Sequence, residues 1–199
     1  MIAEYIRPAR IKINNKIETR PALSGLKHLE IDEIGTLEAF LTDGLRSLLD
    51  LEVPNMKEYT LRYPGHAEKI TKLKDHNLFS DEIIEINGVS MSKLELTSLE
   101  LFKQWKLIPG EPEFTHLIIS GTDVNGRISG WKIHDEGTEG WSSMSRTTGL
   151  PTVSFCKMIL DKTIQDIGIF MPEYFGTNST IVKRIIDDFK AKGISISRF

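Results

Sequence analysis

Apolar positions along this chain change period several times, so the pattern predicts a mixture of strands and helices and not one repeated unit. Between Tyr5 and Glu18, Ile11, Ile13 and Ile17 fall at odd spacings around Asn14-Asn15, which predicts two short strands joined by a hairpin turn. From Thr36 the spacing lengthens: Leu37, Phe40, Leu41, Leu45, Leu48 and Leu49 fit one helical stripe. Gly44 is an interior weak point of that predicted helix, costing about 1 kcal/mol relative to alanine. Tyr59, Leu61 and Tyr63 then alternate with polar neighbours, as a half-buried strand would, until Pro64-Gly65. Pro64 suits the first turn of a helix carrying Ile70 and Leu73. A further helix start is signalled by Ser92-Lys93-Leu94-Glu95, which has capping-box spacing ahead of Leu99, Phe102 and Trp105.

The clearest local signal is Phe114 to Asp123, then Val124-Asn125-Gly126-Arg127, then Ile128 to Asp135, which predicts a long hairpin. A two-residue Asn125-Gly126 loop pairs Val124 with Arg127, setting His116 against Asp135 and Leu117 against His134. His116 and His134 then point to opposite faces, which disfavours a two-histidine metal site. With no His-Glu-x-x-His pattern elsewhere, no metal is expected. After a loop holding Gly137 and Gly140 comes the hydroxyl-rich stretch Ser142 to Gly149, and Pro151 is expected to open an apolar helix reaching about Leu160. Asn178 or Ser179 caps a last helix with Ile181, Val182, Ile185, Ile186 and Phe189 on one face, ending near Gly193.

Composition narrows the class. A chain of 199 residues is expected to form a single domain, burying roughly 70% of its unfolded surface. With 40% hydrophobic and 27% charged residues it reads as globular, not disordered. It has neither a long apolar run nor a signal-like start at Met1-Ile2-Ala3-Glu4-Tyr5, so a cytoplasmic protein without membrane contact is expected. The net charge of -3 and the scattered basic residues argue against nucleic acid. The single Cys156 excludes an internal disulfide, and its apolar surroundings favour a buried, inert thiol over a nucleophile.

Nucleotide-binding and nucleophile-elbow glycine motifs are missing from the sequence. Two segments could hold an anion. In Thr60-Leu61-Arg62-Tyr63-Pro64-Gly65-His66, a strand passes into a helix start beside Arg62 and His66, a plausible carboxylate seat. In Ser142 to Pro151, five hydroxyls and Arg146 lead into another helix start. The plainer alternatives are a turn with surface side chains in the first case and a Ser/Thr-capped loop in the second.

These blocks, with Gly35-Thr36-Leu37-Glu38-Ala39-Phe40-Leu41-Thr42-Asp43-Gly44-Leu45 and Gly168-Ile169-Phe170-Met171-Pro172-Glu173, carry a resemblance. From about Tyr5 onward the chain resembles the C-terminal, substrate-binding part of the saccharopine dehydrogenase (reductase) and lysine dehydrogenase family. The resemblance implies an α+β fold, a mixed sheet with helices on one face, and no Rossmann domain in residues 1–199. It also implies a homodimer and, in the complete enzyme, NAD or NADP on a separate Rossmann portion, with none bound to this chain.

By the same resemblance, Arg62, Arg146, Thr147 and Thr148 bind an amino-acid substrate of the lysine or saccharopine type. His66 is implied as the catalytic residue, assisting proton transfer. The chain alone is then expected to be inactive, since hydride transfer requires a positioned nicotinamide. A non-catalytic binding or assembly module that kept the fold is the alternative.

Overall fold

The computed structural model describes residues 2–32, 34–108 and 110–199. The chain divides into two compact units, residues 1–106 and 107–199. Its class is α+β, with strands distributed over four small sheets whose pairings are all antiparallel among the described residues. No helix among the described residues is long and apolar enough to cross a membrane.

The first unit opens with a short helix α1 (Ala3–Ile6) and the hairpin of β1 (Ala9–Ile13) and β2 (Lys16–Arg20). Asn14 and Asn15 have φ of 48° and 64°, the left-handed conformations that a two-residue hairpin loop requires. A three-stranded sheet follows, made of β3 (Lys27–Ile31), β4 (Gly35–Leu41) and β5 (Tyr59–Arg62), with β4 in the centre.

The helix expected from Thr36 is therefore a strand, continued only by a 3-10 turn at Arg46–Asp50. The physical reason is double burial. Every residue from Leu37 to Leu41 is buried, and a central strand covered on both faces loses the alternation that would reveal it. Its apolar positions then fit a helical stripe by coincidence.

Helix α2 (His66–Asp75) starts at Gly65, whose φ of 88° turns the chain sharply from β5. The hairpin of β6 (Ile83–Ile86) and β7 (Val89–Ser92) leads into α3 (Lys93–Trp105) through the expected capping box. There the Ser92 hydroxyl accepts from the Glu95 amide at 3.1 Å, and the Glu95 carboxylate accepts from the Ser92 amide at 2.7 Å. The core gathers Tyr5, Phe40, Ala67 and Ile70, with Leu23, Leu73, Phe79 and Trp105 packed around them.

In the second unit β8 (Thr115–Thr122) and β9 (Ile128–Asp135) form the expected hairpin, one residue out of the expected register. Thr122 pairs with Ile128 and His116 with His134. Asp123 accepts from the Gly126 amide at 3.0 Å and its own amide donates to Arg127, so the loop holds three residues, 124–126. Gly126, at φ 79°, supplies the left-handed residue that closes such a loop. The Asp123 side chain accepts from the Asn125 and Arg127 amides at 2.8 and 2.9 Å, and this Asx turn is the feature that lengthens the loop.

Helix α4 runs unbroken over Ser143–Leu160, with Pro151 in its interior. The hydroxyl-rich stretch is thus the first two turns of the helix and not a loop before it. Ser142 is the cap, accepting from the Ser145 amide at 3.1 Å. Cys156 lies on an exposed face of α4, which corrects the expectation of a buried thiol. A 3-10 turn at Pro172–Thr177, then α5 (Ser179–Ala191) and β10 (Ser195–Arg198), complete the unit. Asn178 caps α5, and β10 adds to the free side of β9. Met158, Ile164 and Ile181 form the core between α4 and α5.

Candidate functional site

Glu38 organises the first candidate cluster. It lies on the central strand β4, opposite Arg62 on β5, and is 3% exposed. A carboxylate cannot remain there without donors. It receives them from the start of α2: the Gly65 amide donates at 3.0 Å and the Ala67 amide donates to the other oxygen. The seat suggested for a foreign carboxylate at this helix start is thus filled by a carboxylate of the chain itself. The sequence signal was a lone charge inside the buried run Leu37 to Leu41.

Arg62 and His66 are brought together beside that seat. The Arg62 guanidinium donates to the Tyr5 hydroxyl at 3.3 Å, to Glu4 at 3.2 Å and to its neighbouring carbonyl, that of Leu61, at 2.8 Å. The His66 ring lies 5.3 Å from that of Tyr5 and 5.8 Å from that of Trp105. Its Nε2 is buried and has no hydrogen-bond partner. Burial, seconded by the positive charge of Arg62, lowers the His66 pKa below the ordinary imidazole range, against the opposing pull of Glu38. His66 is therefore neutral at physiological pH, with a ring nitrogen uncommitted. Tyr5, Glu38 and Trp105 were not expected here. They come from three separate segments, and only the fold assembles them.

Arg146, Thr147 and Thr148 lie in the second unit, on the first two turns of α4. Arg146 holds Asp135 with two nitrogens, at 2.9 and 3.1 Å, the planar pairing for which guanidinium is suited. It also donates to the Lys192 carbonyl at 2.6 Å and the Thr138 hydroxyl at 3.3 Å. The Thr147 and Thr148 hydroxyls donate back to the carbonyls of Ser143 and Met144, at 2.8 and 2.7 Å. At the helix start Glu113 accepts both the amide and the hydroxyl of Ser143, whose oxygen is also 2.8 Å from that of Thr115. The second helix start, like the first, is occupied by a carboxylate of this chain.

Small antiparallel sheets with helices alongside, and carboxylates locked at two helix starts, place the chain in the α+β class. The chain belongs to the saccharopine dehydrogenase family: the family model for the saccharopine dehydrogenase C-terminal domain matches residues 1–194, which span both units. No parallel strand pair among the described residues forms a βαβ turn to cradle a pyrophosphate, and the α2 and α4 starts already carry Glu38 and Glu113.

Proposed function

We propose that residues 1–199 act as one substrate-binding and dimerisation domain of an NAD(P)-dependent amino-acid oxidoreductase of the saccharopine or lysine dehydrogenase type. The observation that carries this reading is the family match across residues 1–194. NAD or NADP is assigned to a Rossmann portion outside these residues, and the chain by itself is inactive.

In this reading the chain binds and orients an amino acid and handles a proton. Arg62 and Arg146 are the carboxylate-pairing groups, and Thr147 and Thr148, whose hydroxyl protons go to helix carbonyls, offer flanking acceptor oxygens. His66 accepts a proton at Nε2, the role favoured by its lowered pKa and unpartnered nitrogen. The homodimer is supported by β8, an edge strand that exposes Leu117, Ile118 and Ile119. A cytoplasmic location goes with the same reading.

One observation favours the alternative of a non-catalytic binding or assembly module: both oxygens of Asp135 already fill the fork of Arg146. The two readings separate in a direct assay. Residues 1–199 joined to a family Rossmann portion should oxidise lysine or saccharopine with NAD(P), and His66→Gln should lower kcat more than it raises KM. Residues 1–199 alone should bind saccharopine calorimetrically without turnover. Absence of amino-acid binding in both preparations would leave only the assembly module, and unaided turnover by residues 1–199 would overturn the assignment of the nicotinamide elsewhere.

A further inference from the structure

We propose that His116 and His134 form a two-histidine clamp for a borderline transition-metal ion, Zn(II), Ni(II) or Cu(II), on the β8–β9 hairpin. The observed register makes the two residues direct cross-strand partners. Their Nδ1 atoms are 3.2 Å apart, and their rings meet at 60° with centroids 5.4 Å apart. Two metal–imidazole bonds of about 2.0 to 2.1 Å, at angles between right and tetrahedral, place their nitrogens about 2.9 to 3.4 Å apart. The pair therefore already has the bite of a chelate.

Without metal, two facing nitrogens at this distance share one proton, since two lone pairs would repel. In the neutral pair that proton sits on one Nδ1 and is accepted by the other, and when a metal ion takes its place the proton passes through water to the Nε2 of the ring that carried it. Each ring then coordinates through a Nδ1 lone pair with its N–H on Nε2, and no net proton is released.

The surroundings suit that role. The Glu136 carboxylate is 3.7 Å from His134 Nε2, beyond hydrogen-bond reach, and places a negative charge near the pair. The Phe114 ring packs 5.7 Å from the His134 ring and limits its swing. By strand alternation both imidazoles lie on the sheet face opposite that of Thr115 and Asp135, which bond to Ser143 and Arg146 of α4.

Both histidines are half-buried, so solvent reaches the pair. No group of three or more His, Cys, Asp or Glu suited to a metal occurs among the described residues, so the two imidazoles alone define the clamp. Lys132 lies on the same face of β9, its ammonium 5.7 Å from the Phe199 ring. Imidazole pairs follow the usual order of divalent-ion affinity, with Cu(II) the strongest. A bound ion would also pin the hairpin register, since a one-residue slip sends the two histidines to opposite faces.

The test uses the full chain without a histidine tag, titrated calorimetrically with Ni(II) and Zn(II). The expected result is one ion per chain and a melting temperature that rises with metal. His134→Asn and His116→Asn should each abolish saturable binding while keeping the wild-type circular dichroism spectrum. The double variant His28→Asn/His76→Asn should bind as wild type does. Absence of a one-to-one isotherm, or undiminished binding by a folded His134→Asn chain, would overturn the clamp. This result stands apart from the dehydrogenase reading, because neither histidine has a role there.

Discussion

The starts of α2 and α4 meet the same electrostatic demand in the same way and then differ. At α2 the carboxylate of Glu38 takes the Gly65 and Ala67 amides; at α4 that of Glu113 takes the amide and hydroxyl of Ser143. Beside the first, His66 keeps a buried nitrogen without a partner. Beside the second, Arg146 donates to Asp135, Lys192 and Thr138. A helix start filled by an internal anion is a structural device, and any chemistry depends on what is left unsatisfied next to it. By that criterion the α2 cluster retains capacity for proton transfer, whereas a ligand carboxylate at Arg146 must compete with Asp135.

The largest expected effect follows from that competition. Arg146 and Asp135 are 12% and 3% exposed at their side chains, so Arg146→Ala leaves a buried carboxylate without its counter-charge, at a cost of about 3 to 5 kcal/mol. Urea unfolding followed by the fluorescence of Trp131 and Trp141, both in the second unit, would measure it. A loss below 1 kcal/mol would mean that Asp135 is readily resolvated, and Arg146 would then be as available to a ligand as Arg62.

Removing the two capping carboxylates tests whether the helix starts are alike. Glu38→Ala strands the buried Ala67 amide and the part-buried Gly65 amide and should cost about 2 to 3 kcal/mol. Glu113 is only partly buried, and Glu113→Ala leaves the Ser143 hydroxyl its Thr115 partner, so a loss nearer 1 kcal/mol is expected. Equal losses would contradict the distinction between a buried and a rim carboxylate. Trp105, in the first unit, reports the Glu38 variant in a chain whose other two tryptophans are replaced by phenylalanine.

How far the sequence reveals this arrangement depends on the range of each signal. Asn14-Asn15 and Ser92 to Glu95 specify their turn and cap from adjacent residues, and the structure contains both. The strand β4 was misread because burial on both faces erases its alternation. The hairpin register was misread because the Asp123 side chain adds a residue to the loop, and that single step separates histidines on opposite faces from histidines 3.2 Å apart. Arg62 and His66 were recognisable as a pair from their shared block. Glu38, Tyr5 and Trp105, which set their environment, are distant in sequence, and their roles follow only from pairing between strands.

The smallest effect is also the most direct probe of the α2 cluster. The His66 pKa is lowered in the folded chain, first by burial and then by Arg62, while in the unfolded chain it returns to about 6.5. Between those two values the unfolded state binds the proton more tightly, so stability rises with pH across that window. The contribution is fully present above about pH 6.5, and it declines as the pH falls towards the lowered folded value. His66→Phe keeps a ring against Tyr5 and Trp105 but cannot titrate. Its stability profile, measured by urea unfolding from pH 7.5 down to pH 5, should be flatter than that of the wild type below about pH 6.5. Asp43, whose pKa is lowered by its bond to Arg10, acts in the same direction only below its ordinary value of 3.8 and leaves this window undisturbed. Parallel profiles for the two proteins would show that His66 meets the same environment folded and unfolded, and the α2 cluster would lose its claim to an uncommitted base.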